Sequence, residues 1–250
     1  MPAADGTMIH HPDLHDNTLR QACQHGTRRY SLRYLSGHPA AMDRQMAATT
    51  RNGPMAFTTG ILIFDDVEEL DFVGPWEVLS LARHEGDRVV TISEREGPVR
   101  AKLGLRVLPD HNFENAPELD VLVVPGGQGT RREVGNPELV RWIATVARNC
   151  EWVSSVCTGA LLLHSAGLLG GRRATTHWGW IERFREATEV EVVEDERFVV
   201  DGRVVTSAGI SAGIDMALWL VGQLYDPDHA RYVQRRMEYD PAPPYSWTDR

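Results

Sequence analysis

Four short runs of apolar and small residues decide what kind of fold is open to this chain. They are Gly60-Ile-Leu-Ile-Phe64, Val89 to Ser93, Asp120-Val-Leu-Val-Val124 and Trp152-Val-Ser-Ser-Val156. None shows the strict apolar–polar alternation of a strand with one wet face. Each reads as a strand buried on both sides, as central strands of parallel sheets are. Burial on both sides demands helices above and below the sheet, and the intervening segments supply them. Helical spacing runs from Leu70 to Ala82 and from Pro137 to Arg148, the latter opened by Asn136 as N-cap and Pro137 at the first helical position. Thr158 to Ala166 reads as a helix stopped by Gly167, and Trp178 to Glu186, Ala212 to Leu224 and Asp226 to Tyr239 as three more. Arg173 to Thr176 is a short strand. Phe198-Val-Val200 and Val204-Val-Thr206 flank the turn pair Asp201-Gly202, and Leu103 to Pro109 is a candidate hairpin arm. The alternation predicts an α/β fold, a three-layer sandwich around a mostly parallel sheet.

This pattern starts near Thr59. Residues 1–56 are rich in His, Arg, Ala, Thr and Gly without a sustained period, and read as a disordered or poorly ordered extension. A start of translation at Met46 or Met55 would remove most of it. Residues 57–245 make one domain, and 246–250 a tail. The net charge of −9 disfavours nucleic acid and anionic membrane surfaces as partners. The sequence contains no apolar run of about 20 residues, the length that spans a bilayer, and no secretory signal, so the expected location is cytoplasmic. The three cysteines, Cys23, Cys150 and Cys157, make no disulfide framework. His11 and His15 have a ligand-like spacing but nothing to complete a site, so no metal is expected.

In open parallel sheets, ligands bind beyond the carboxyl ends of the strands. Three such ends carry unusual residues: Asp65-Asp-Val-Glu-Glu-Leu-Asp71, Pro125-Gly-Gly-Gln-Gly129 and Cys157-Thr-Gly159. A residue wedged between a buried strand and a helix, and followed by small residues, sits on a tight turn that projects its side chain over the sheet edge. There the helix N-terminus is expected to lower the thiol pKa and make Cys157 a nucleophile, though a small buried core cysteine would read the same way. Backbone N–H groups of the Gly126-Gly127 turn, together with that of Thr158, are positioned to form an anion hole. A nucleophilic thiol needs a proton-transfer partner. Asp71, flanked by Leu70 and Phe72, is the acid of its loop most expected to point inwards, unless it caps the helix; Asp65, Asp66, Glu68 and Glu69 read as solvated charges. Cys150, before its strand, lies at the opposite side of the sheet and reads as structural.

These strings resemble the PfpI-type superfamily, which includes the parkinsonism-associated deglycase and is related to class I glutamine amidotransferases. Within it the similarity is greatest to the cyclohexyl-isocyanide hydratases, through Leu70-Asp-Phe-Val-Gly-Pro75, Ser155-Val-Cys-Thr-Gly159, Ala174-Thr-Thr-His-Trp178, Gly209-Ile-Ser-Ala-Gly-Ile-Asp215 and Glu238-Tyr-Asp-Pro-Ala-Pro-Pro244. Thr158 stands where PfpI-type peptidases have His. His177 is followed by Trp178-Gly179 rather than completing the His-x-Glu pair of the amidotransferases, and Asp71 replaces the Glu of deglycase-like members.

The resemblance implies a flavodoxin-like fold and a homodimer that needs no cofactor. It implies a hydro-lyase that turns an isocyanide into an N-substituted formamide through a Cys157 thioimidate, with Asp71 as general acid and with Gly127 and Thr158 N–H groups stabilising developing charge. Gly126, His177, Trp178, Gly209 and Ile210 become candidate pocket residues; His177 and Trp178 read equally as structural residues at a surface. A glyoxalase or deglycase acting through the same Cys and acid, and a non-catalytic ligand or redox sensor with a low-pKa exposed thiol, are the alternatives. The AraC-type DNA-binding helices that accompany this domain in some regulators have no counterpart before Arg250.

Overall fold

The computed structural model describes residues 56–187 and 189–243. The expected extension, its histidine pair, Cys23 and the tail lie outside the described residues, apart from Ala56. The first strand, β1 (Thr58–Leu62), is buried along its whole length, as its continuous apolar run requires. It pairs in parallel with β2 (Arg88–Ser93) on one side and β6 (Val121–Val124) on the other. Beyond β6 lies β7 (Trp152–Val156), also parallel, followed by β11 (Val204–Ser207). Only β10 (Phe198–Asp201) runs antiparallel, folded back on β11 through a left-handed Gly202 (φ 61°). A two-residue strand, β5 (His111–Asn112), extends the other edge, so the seven-stranded sheet has the order β10-β11-β7-β6-β1-β2-β5.

From β1 the chain moves outward to β2, then returns past β1 to β6. The direction of strand addition therefore reverses between β1 and β6, and that reversal opens a crevice at their carboxyl ends. With right-handed crossovers it also places helices on both faces, giving three layers. Helix α1 (Glu69–Ala82) packs with α6 (Ala212–Leu224), which packs with α7 (Pro227–Arg236). Helix α3 (Pro137–Val146) packs with α4 (Gly159–Ser165), which also contacts the short α2 (Thr130–Glu133). Asn136 caps α3 as predicted, its side chain accepting from the N–H groups of Glu138 and Leu139 at 3.1 and 3.3 Å.

The candidate arm is built differently from the sequence expectation. Its strands are β3 (Val99–Arg100) and β4 (Arg106–Val107), antiparallel, so Leu103 lies in the turn between them. The short strand expected at Arg173 to Thr176 is present as β8 (Arg173–Ala174), paired with β9 (Glu191–Val192) outside the main sheet. A 3-10 turn (Trp178–Trp180) leads into α5 (Ile181–Ala187), and α7 ends at Arg236, short of Tyr239. Among the described residues no helix is long and apolar enough to cross a membrane.

Candidate active site

Cys157 directly follows β7 and holds a left-handed backbone, φ 58°, which a side-chain-bearing residue adopts only at a cost of about 1 kcal/mol or more. Its neighbours enforce the turn. The Cys157 N–H donates to the carbonyls of both Ser207 and Ala208 at 3.1 Å, and its own carbonyl accepts from the Thr176 hydroxyl at 2.9 Å. Gly159, which opens α4, passes so close to β6 that a Cβ there would sit 2.1 Å from the Val124 carbonyl oxygen. The elbow thus requires a glycine two residues after the cysteine.

Asp71 reaches the same crevice from the first turn of α1. It is not the helix cap, a position held by Glu68 without a side-chain bond. Instead it is fully buried, at 0% exposure, and its Oδ2 accepts the Gly126 N–H at 3.0 Å. Among the described residues Oδ1 has no well-aligned hydrogen-bond donor, although the carboxyl group and the Cys157 sulfur are close enough to perturb one another. Burial pushes the Asp71 pKa up to about 7. The Gly126 N–H opposes the shift, and the charge of Glu68 adds to it.

The thiol departs from the sequence expectation. Cys157 is only 6% exposed, and its pKa is raised, not lowered. Burial is the largest cause and the Asp71 charge the next; hydrogen bonds from the Thr158 N–H and hydroxyl oppose them without prevailing. At so buried a sulfur, a seven-residue helix supplies less than desolvation removes. With both groups raised, thiol and acid titrate as a coupled pair that gives up its first proton near pH 7.

The glycine turn closes the site from β6. A Cβ on Gly126 would lie 2.5 Å from the Thr158 nitrogen and 3.0 Å from Asp71 Oδ2. Gly127 has φ 126°, and a Cβ there would strike the Glu68 nitrogen at 2.4 Å. The expected pair of free donors is not assembled, however: the Gly127 N–H donates to the Thr158 hydroxyl oxygen at 3.0 Å, leaving Thr158 as the backbone donor at the sulfur. The Thr130 hydroxyl completes that cluster, 3.1 Å from the Thr158 hydroxyl.

The expected pocket residues divide. His177 packs its ring over Gly209, where a Cβ would lie 2.5 Å from the His177 Cδ2, and its Nδ1 accepts the Gly179 N–H at 3.1 Å. Burial holds its pKa below the ordinary imidazole value, helped by the positive charges of Lys102 and Arg131. Ile210 follows in a left-handed conformation, φ 47°, just before α6. Trp178 is 77% exposed, so within one chain it walls nothing.

Sequence reasoning missed Glu68 and Lys102. Glu68 is buried rather than solvated, and pairs with Lys102 at 2.8 Å beside the crevice. No local pattern joins residues 34 positions apart. Among the described residues no cluster of three or more His, Cys, Asp or Glu is placed to hold a metal ion.

This geometry has known counterparts. The model of the DJ-1/PfpI family matches residues 59–223, which carry every element of the crevice. The chain belongs to the DJ-1/PfpI family. It is 40% identical over 191 residues to an isonitrile hydratase of Pseudomonas putida, an alignment covering 76% of this chain and 82% of that protein. It is 36% identical over 178 residues to the transcriptional regulator CdhR of Pseudomonas aeruginosa, covering 70% of this chain but 53% of the regulator. Among solved structures, a ThiJ/PfpI family protein of Pseudomonas syringae superposes with a TM-score of 0.73 at 29% identity, covering 79% of this chain and 84% of that one. The expected superfamily and the flavodoxin-like, mostly parallel architecture are thus both found.

Proposed function

We propose that this DJ-1/PfpI protein is an isocyanide hydratase, with Cys157 as nucleophile and Asp71 as general acid. The observation that carries the reading is the buried Cys157–Asp71 pair, in which Asp71 raises the thiol's proton affinity while the thiol's hydrogen bond favours the ionised acid. Its likeness to an isonitrile hydratase along most of both chains supports it.

In the one-proton state with the proton on Asp71, the thiolate attacks the terminal carbon of R–N≡C and forms the C–S bond. Asp71 gives its proton to that carbon, yielding the thioimidate R–N=CH–S–Cys157. The Asp71 carboxylate then takes a proton from water as the hydroxyl adds to carbon, and passes it to nitrogen. The hydroxyl proton returns to Asp71 as the carbonyl forms and the C–S bond breaks. N-substituted formamide leaves, and the pair is back in its starting state. A pKa near the working pH suits Asp71 to both giving and taking a proton. The Thr158 N–H steadies charge on the sulfur. The proposal includes a cytoplasmic homodimer that acts without a metal or organic cofactor.

The sensor alternative rested on an exposed, low-pKa thiol, whereas this one is buried with a raised pKa. The test is steady-state hydration of cyclohexyl isocyanide by wild type, with methylglyoxal loss assayed in parallel. Formamide production supports the proposal. Loss of methylglyoxal without isocyanide turnover would move the protein to the deglycase class.

A further inference from the structure

Two arginines share one tryptophan beside the crevice. The guanidinium carbon of Arg131 lies 4.5 Å from the centroid of the Trp180 ring, and that of Arg183 lies 5.0 Å away. Among the described residues neither guanidinium is ion-paired with a carboxylate. That is unexpected in a chain with 35 acidic and 26 basic residues, where carboxylates to neutralise them abound. Each guanidinium is attracted to the ring face, and together the two make a cationic patch open to an anion.

The position of this pair ties it to the site. An Arg131 N–H donates to the Gly127 carbonyl at 2.8 Å, on the turn whose Gly126 holds Asp71. The Trp180 N–H donates to the His177 carbonyl at 2.8 Å, and His177 packs on Gly209. Lys102 lies close enough to interact with Cys157, Asp71 and His177, and Arg131 close enough to interact with His177. The buried end of the site thus holds the thiol and the acid, while its rim is cationic and aromatic.

We propose that Arg131 and Arg183, held on Trp180, bind a carboxylate at the far end of the substrate, so that the preferred substrates are isocyanides bearing a carboxylate. This rests on the hydratase reading for the reacting end and on the arginine pair for the other. Planar guanidinium forks match a carboxylate in two-point contact, and stacking on a ring leaves their N–H edges free to donate. The uncharged isocyanide carbon enters the buried end, and the charge stays at the rim, away from Asp71.

The experiment compares kcat/KM for isocyanoacetate with that for its methyl ester, in wild type, Arg131→Gln and Arg183→Gln. A ratio taken within one protein cancels any loss of folded enzyme. Wild type is expected to favour the acid, with each substitution lowering the ratio roughly 3-fold to 10-fold, the range of a partly exposed charge pair. Equal use of acid and ester by wild type, or a ratio unmoved in both variants, overturns the proposal.

A second readout does not need hydration: alkylation of Cys157 by iodoacetylglycine against its methyl ester. Each breaks the C–I bond and releases iodide as the sulfur bonds to carbon. If no isocyanide is turned over but this alkylation ratio falls in the variants, the hydratase reading fails and the anion-binding rim stands. If isocyanides are hydrated but neither ratio moves, the rim fails and the hydratase stands.

Discussion

The two described cysteines sit at opposite ends of the same strand. Cys150 precedes β7 and Cys157 follows it; both are buried, and burial is the largest cause of the raised pKa of each. Cys150, pushed up to about 12, has Arg203 as its counterweight, and its sulfur donates to the Val146 carbonyl at 3.4 Å. The Asp120 charge adds to the rise, but it does so as a charge and not as a hydrogen-bond partner of the sulfur. Cys157 has Asp71, the Thr158 N–H and a strained turn that points it into the crevice. Neither thiol is activated by a low pKa. What distinguishes Cys157 is a buried acid beside it, and in the proposed reaction the reactivity comes from that partner rather than from the thiol alone.

The sharpest break between the ends is expected from alanine. Cys157→Ala should lower kcat/KM for isocyanide by at least about 10³-fold, because it removes the bond-forming atom, whereas Cys150→Ala should stay within about twofold in activity. Steady-state formamide production measures both. Equal losses at both ends would erase the distinction.

Asp71→Asn comes next. Without its proton donor, turnover should fall roughly 10²-fold to 10³-fold. The thiol itself should respond the other way. The Asp71 charge and its hydrogen bond both raise the Cys157 pKa, so removing them lowers it. Iodoacetamide should then modify Cys157 at lower pH than in wild type, while Cys150 stays unchanged. A rate–pH profile for each cysteine, read by peptide mapping, checks this.

Stability should carry the same signature. Folded Asp71 has its pKa raised from 3.8 to about 7, so the native state holds its proton more tightly than the unfolded chain does. The unfavourable contribution is absent below about pH 4, grows as pH rises through the interval and is complete above about pH 7. At 1.36 kcal/mol per pKa unit it reaches roughly 4 kcal/mol. Urea unfolding of wild type and Asp71→Asn should therefore diverge with rising pH, the variant being the more stable at pH 8. Parallel curves would mean that Asp71 is not held in a desolvated state.

The smallest effect is expected one residue beyond the elbow. Thr158→Val strands the buried Gly127 N–H without its acceptor, at a cost of about 1–3 kcal/mol in stability, while the Thr158 N–H beside the sulfur remains. Turnover should fall far less than with Asp71→Asn.

The same contrast explains what could be read from sequence. The central strands and the elbow were legible because each is a local signal: an apolar run, then a cysteine, then a glycine. Asn136-Pro137 likewise announced its helix. The two-residue β5 and the four-residue α2 are too short to show any period. The arm starts earlier than its apolar residues suggest, because they lie in its turn: Leu103 and Leu105 are exposed, and the pairing begins at Val99. The elbow predicts a helix N-terminus beside the sulfur, but not how deeply the sulfur is buried. Burial depends on strands and loops distant in sequence, and it reversed the direction of the thiol shift. The same distance hid the Glu68–Lys102 pair and the use of the Gly127 N–H by Thr158.

The most direct test of the central claim is to quench wild-type protein during turnover of cyclohexyl isocyanide and to map the covalent adduct by peptide mass. The account predicts an adduct with the mass of the whole isocyanide on Cys157 and none on Cys150. Sustained formamide production with Cys157 unmodified at every quench time, and undiminished in Cys157→Ala, would contradict it.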